Sequence, residues 1–197
     1  MRLPRSIQSA TFAFFGALVL LLPLSVAKAD TPAVLILEAS DGSQSPLSQA
    51  LYLDVVSRIA DQVEKAGFTA LRSSEIGEAG GNRSEAEENA NIVAQAKEGH
   101  SGEVIAYAAV IRLFADLVLL NEGTQIRLGI KGRLLDVNTS EILARFDLKL
   151  PENFQAPPSC NRRCLIQLLQ NNAAGIADSL GQILGRRLNE REENTPN

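Results

Sequence analysis

GRLLDVNTSEILARFDL, residues 132–148, reads as two strands joined by a tight turn. Ile142, Ala144, Phe146, Leu148 and Leu150 alternate with Arg145, Asp147 and Lys149, the period of two expected of a strand with one covered face. DVNTSE, residues 136–141, has turn composition. Immediately upstream, Ile126, Leu128, Ile130 and Leu134 face one way, and Gln125, Arg127, Lys131 and Arg133 the other. NEG at 121–123 is a second hairpin signal. Before it, Gly102–Asn121 is a long apolar run. As a membrane segment it would place Arg112 and Asp116 in the bilayer, each at a cost. Its β-branched and aromatic residues favour a long strand. Three strands in an antiparallel meander follow, with one face wet.

Outward toward the amino terminus, AVLILE at 33–38 is a short buried strand. Ser45 and Pro46 form an N-cap and first helical position. Leu47, Leu51, Val55, Ile59 and Val63 make the stripe of an amphipathic helix, closed by Gly67. FTALRSS at 68–74 is a second strand, so strand, helix and strand form a parallel βαβ unit. After the glycine-rich EIGEAGGNR, Ser84 and Glu87 make a capping box for a second helix ending at Gly99. Its sparse apolar residues, Ala90, Ile92, Val93 and Ala96, predict a mostly exposed element.

Toward the carboxyl terminus, a proline-containing loop leads into a last helix with Leu165, Leu168, Leu169, Ala173, Ile176, Leu180, Ile183, Leu184 and Leu188 on one side. Gly175, Gly181 and Gly185 each cost that helix about 1 kcal/mol against alanine, and are expected to mark a close approach to the sheet or a bend. Residues 189–197 are polar and expected to be disordered. The predicted class is α/β (α+β), in the order β-α-β-α-β-β-β-α. It has a mixed five-stranded sheet with a parallel βαβ half and an antiparallel meander, and a long C-terminal helix packed on the sheet.

The amino terminus predicts export. Arg2 and Arg5 precede the apolar stretch Ala10–Val26, which ends in Ala27-Lys28-Ala29. Residues 1–29 therefore read as a signal peptide cleaved before Asp30, with an uncleaved anchor as the competing reading. No stable membrane span is expected after cleavage, residues 30–188 are expected to form a single domain, and the compartment is the periplasm. The leader carries Arg2, Arg5 and Lys28 and no acid, so its loss takes the formal charge from −4 to −7. Such acidity argues against a nucleic-acid partner.

Little chemistry is legible. His100 is the single histidine, which disfavours a catalytic triad or a histidine-rich metal site. Glu85, Glu87 and Glu88 suit a helix first turn and lack calcium-loop spacing. No catalytic, cofactor or metal residue is assigned. The two cysteines, Cys160 and Cys164, are not a CxxC pair and lack partners for zinc. In an oxidising compartment they read as a local disulfide at a loop-to-helix junction, Cys160 just before the helix and Cys164 in its first turn. Free thiols, intermolecular pairing and redox or metal chemistry are the alternatives.

The 132–148 hairpin resembles the penultimate hairpin of the TolB amino-terminal-domain-like group of bacterial envelope proteins, which includes CsgG, LpoB, FlgT and PelC. Asp136, Val137, Thr139, Glu141 and Leu143 match its pattern, and Ser140 stands where the group usually has glycine. The resemblance implies a non-enzymatic accessory or assembly role, with an envelope complex or a second copy of the chain as partner. Arg127, Lys131, Arg133, Arg145 and Lys149 are the candidate partner face. The alternatives for that face are an ordinary solvated surface or one covered by the long helix. The second functional reading is a small-molecule-binding or enzymatic domain using Asp41, Ser43, Ser45, Ser73, Ser74 and Glu75 after the parallel strands.

Overall fold

The computed structural model describes residues 31–39, 46–73, 84–98, 104–121 and 123–194. Expectations placed on residues 1–29, on His100 and on Asp41, Ser43, Ser45, Ser74 and Glu75 lie outside them. The elements are β1 (Ala33–Glu38), α1 (Pro46–Lys65), β2 (Thr69–Ser73), α2 (Glu85–Glu98), β3 (Ile105–Leu120), β4 (Gly123–Asp136), β5 (Ile142–Lys149), β6 (Gln155–Ala156) and α3 (Arg162–Asn194). The class is α+β with a mixed sheet. Its strand order is β2-β1-β3-β4-β5, and β6 also pairs with β4. β1 runs parallel to β2 and β3, while β3, β4 and β5 are antiparallel. The expected five strands become six because the chain turns back at Phe154, whose carbonyl accepts Ile126 N–H (3.0 Å), and lays Gln155 and Ala156 alongside Gln125 and Thr124.

β1 is apolar throughout because both of its faces are covered. Val34 and Ile36 pack with Val55, Ile59 and Val63 of α1 in the larger core. Leu35 and Leu37 pack with Ile92, Val93 and Ala96 of α2 in a smaller one. Helix α1 ends where Gly67 adopts φ 98°. Gly67 N–H donates to Glu64 O (3.0 Å) and Phe68 N–H to Val63 O (3.3 Å), the paired bonds of a Schellman cap. The chain then enters β2 directly, as the βαβ reading requires.

The predicted capping box is present at α2. Ser84 N–H donates to Glu87 Oε2 (2.9 Å) and Glu87 N–H to Ser84 Oγ (3.3 Å). Only Ile92, Val93 and Ala96 of this helix are buried. Sparse as they are, they cover Leu35 and Leu37 of β1 and extend to Val110 and Leu135 of the meander, whose outer face was expected to be wet.

Helix α3 lies on the opposite face beside α1. Gly181 and Gly185 mark a close approach to that helix and not to the sheet. A Cβ at Gly181 would lie 2.6 Å from Gln62 Cβ, and one at Gly185 2.6 Å from Ala66 Cβ. With Ala173 and Ala177 they form a four-residue repeat of small side chains along the buried stripe. The helix continues to Asn194, past the point where a disordered tail was expected. Tertiary contacts hold that end: Arg191 Nη2 lies 3.1 Å from Asp136 Oδ2, and the Tyr107 hydroxyl donates to Glu192 Oε1. Burial and the Glu192 carboxylate both push the Tyr107 phenol up.

Asp136 organises the hairpin as well as that clamp. Its Oδ1 accepts from Asn138 N–H (2.9 Å) and Thr139 N–H (3.0 Å). Burial works to raise the carboxyl's pKa, but these bonds and Arg191 outweigh it and hold Asp136 below the usual aspartate range. Ser140, at the turn position where the group it resembles usually has glycine, is left-handed with φ 63°.

Candidate functional site

The α2 side of the sheet divides in two. The covered part, reaching from β1 to Val110 of β3 and Leu135 of β4, lies under α2. The open part, the stretches of β3, β4 and β5 beyond Arg133, has no element over it among the described residues. Strand parity brings the candidate cations together there. β4 and β5 align Lys131 with Asp147, Gly129 with Lys149 and Arg133 with Arg145. β3 adds Arg112 opposite Lys131, Phe114 opposite Gly129 and Asp116 opposite Arg127.

Arg127, Lys131, Arg145 and Lys149 are exposed on this face. Arg133 is not: it is 8% exposed. It has the same parity as Lys131, but the first turns of α2 lie over it. Its Nη2 lies 2.9 Å from Glu88 Oε2 and its Nε–H donates to Asn89 Oδ1. The candidate partner face therefore retains four of its five cations at the surface.

Acids interleave with these cations, so the face is mixed in sign. Arg145 makes a two-pronged pair with Glu85, which lowers the glutamate's pKa and raises the arginine's. Lys131 Nζ lies 3.7 Å from Asp147 Oδ2 and 5.6 Å from the centre of the Phe114 ring. Gly129 makes room for that ring, since a Cβ there would overlap it. Arg112, Phe114 and Asp116 were missed in the sequence reading because the apolar run around them has no visible alternation. Their even numbering, shared by Ala108 and Val110, was the available signal.

The long helix covers the other face, so it does not mask these residues. It starts at the disulfide. Cys160 and Cys164 are joined, with Cα atoms 5.3 Å apart, and Asn161 caps the helix by accepting Cys164 N–H at Oδ1 (3.1 Å). Cys160, Phe154, Leu150 and Leu148 pack at the edge of the larger core, beneath the open half of the sheet. Among the described residues no group of three or more His, Cys, Asp or Glu is placed to hold a metal ion. No helix among them is long and apolar enough to cross a membrane.

No protein-family model and no curated protein matches the chain. Solved structures do. XCC0632 from Xanthomonas campestris, of family model DUF330, superposes with TM-score 0.51 at 11% identity, over 83% of this chain and 89% of that one. PelC from Paraburkholderia phytofirmans, a dodecamer, gives 0.49 at 10% identity over 78% and 87%. Lipoprotein GNA1162 from Neisseria meningitidis gives 0.43 at 14% over 73% and 96%. The match to XCC0632 shows that the two chains share a fold.

Proposed function

We propose that the protein is an exported, non-enzymatic accessory of the bacterial envelope that docks on a protein complex through the open half of its sheet. The observation that carries this reading is the uncovered β3–β4–β5 surface. On it Arg127, Lys131, Arg145 and Lys149 stand around Phe114 with Asp116 and Asp147 between them. Charged groups of both signs around an aromatic suit a specific protein contact: the charges set orientation and the ring supplies buried area. The leader-like residues 1–29 and the disulfide support an oxidising, exported setting. The fold group supports an envelope role by analogy.

The test is in-cell cross-linking from a photoreactive residue placed at Lys149, with and without Arg127→Glu and Lys131→Glu. A discrete adduct that disappears in the double variant, with the melting temperature kept, is the expected result. An adduct pattern unchanged by the reversals removes this face from the interaction. Intact mass of the exported protein checks the leader: residues 1–29 are expected to be absent.

A further inference from the structure

β5 stands at one end of the sheet order. It pairs with β4 on one side and, among the described residues, with nothing on the other. Strand parity shows which main-chain groups that edge presents. Leu150 N–H donates to Leu128 O, so the main-chain groups of Leu148 and Phe146, of the same parity, also turn to β4. Those of Arg145, Asp147 and Lys149 turn away from it. Such an edge is a template for a further strand, and proteins often blunt it with proline or with lysine. β5 holds no proline, and its exposed side chains alternate in sign: Arg145, Asp147, Lys149.

That alternation makes the edge complementary to itself. In an antiparallel pair of two β5 strands with the two-fold axis at Phe146, Arg145 lies opposite Asp147 of the second copy, and Asp147 opposite its Arg145. The outward groups of these residues then form the hydrogen-bonded pairs. The overlap spans residues 143–149, nearly the whole strand. An axis at Arg145 or at Asp147 sets like charge on like. An axis at Leu148 restores opposite charges but overlaps only residues 147–149. The pairs Arg145–Glu85 and Asp147–Lys131 are half-exposed, so the second copy adds an opposite charge beside each and displaces neither. On the other face the axis sets Phe146 against Phe146 in a non-hydrogen-bonded pair, where side chains come closest. That ring is only partly buried within one chain.

The neighbouring helix leaves room. An open groove of ≈ 530 Å³ lies between the β5 edge and α3, with Leu148, Leu150, Gly175 and Ile176 in its walls. Gly175 is exposed, and a Cβ there would meet nothing within 4 Å. The approach of α1 accounts for Gly181 and Gly185, but no contact within this chain accounts for Gly175. Close approach of another backbone is a use that such a glycine serves.

We propose that the protein forms a two-fold dimer by antiparallel pairing of β5 with β5 of a second copy. The axis runs along the sheet normal, so the sheet continues through the dimer and the two open faces lie side by side.

Sedimentation velocity of the exported protein over a concentration series is expected to show monomer converting to dimer. Arg145→Asp sets acid on acid across the axis, and Asp147→Arg sets base on base. Each should weaken the dimer about tenfold or more, and melting curves verify that both variants fold. An equimolar mixture of the two variants brings opposite charges together again and should regain the dimer. Amide exchange at Arg145 and Asp147 should slow as the dimer forms, while Phe146 and Leu148, already facing β4, change little. A chain that stays monomeric overturns the proposal. So does a dimer that both reversals leave intact, one that the mixture fails to restore, or one whose new protection lies outside β5. A monomer that still cross-links to another envelope protein from position 149 sinks the dimer and keeps the docking surface. A dimer without that adduct does the reverse.

Discussion

The two parts of the α2-side sheet face share strands β3 and β4 and meet different fates. Under α2 the face carries Leu35, Leu37, Val110, Leu135 and Val137, all buried. One pleat further on it carries Arg112, Phe114, Lys131 and Asp147, at or near the surface. The boundary is drawn by two cross-element pairs, Arg133 with Glu88 and Arg145 with Glu85. Both arginines extend from the sheet to the same turn of α2, but Arg133 is buried and Arg145 is more than half exposed. A charged residue on a strand thus shows which face it is on; whether that face is wet depends on how far a helix reaches across it.

The sharpest way to break this comparison is Arg133→Ala. It leaves Glu88 partly buried without its counter-charge and should lower stability by about 3 kcal/mol in urea unfolding, near the low end for a broken buried pair. A loss as small as that of an exposed arginine would mean that the boundary is only a surface ion pair. The disulfide tests the support beneath the open half. Cys160→Ser with Cys164→Ser should cost roughly 1–2 kcal/mol, below the usual range because the loop is short. Amide exchange should rise in β5 and β6 and stay slow in β1; a uniform rise would show that the two halves share one unfolding unit. Non-reducing peptide mass spectrometry should find the two cysteines linked.

The hairpin that carries both halves into β5 offers a gain. Ser140→Gly should stabilise by about 1 kcal/mol or less, since glycine adopts a positive φ without the steric cost that serine bears. No gain would show that the turn's other bonds already absorb that cost. The smallest effect is expected on the open half. Arg127→Glu with Lys131→Glu should alter stability by less than about 1 kcal/mol while removing the docking contact. A large loss of stability would mean that this half is covered in the folded protein.

Residue order alone determined the element types, the parallel βαβ start and the meander. Those follow from local signals: period-two alternation in β4 and β5, the stripe of α1, Gly67 closing it and Ser84 opening α2. The parity that puts Arg127, Lys131, Arg133, Arg145 and Lys149 on one face was legible for the same reason, since pleating is a property of the single strand. Only the tertiary structure decided that Arg133 is buried, that the Gly181 and Gly185 face meets α1, and that the polar end of α3 stays helical through Asn194. Each of these depends on which element arrives from elsewhere in the chain. A sparse stripe such as Ile92, Val93 and Ala96 shows that α2 will pack somewhere, but its reach across the sheet is set by the length and path of the connections, which leave no periodic mark in the sequence.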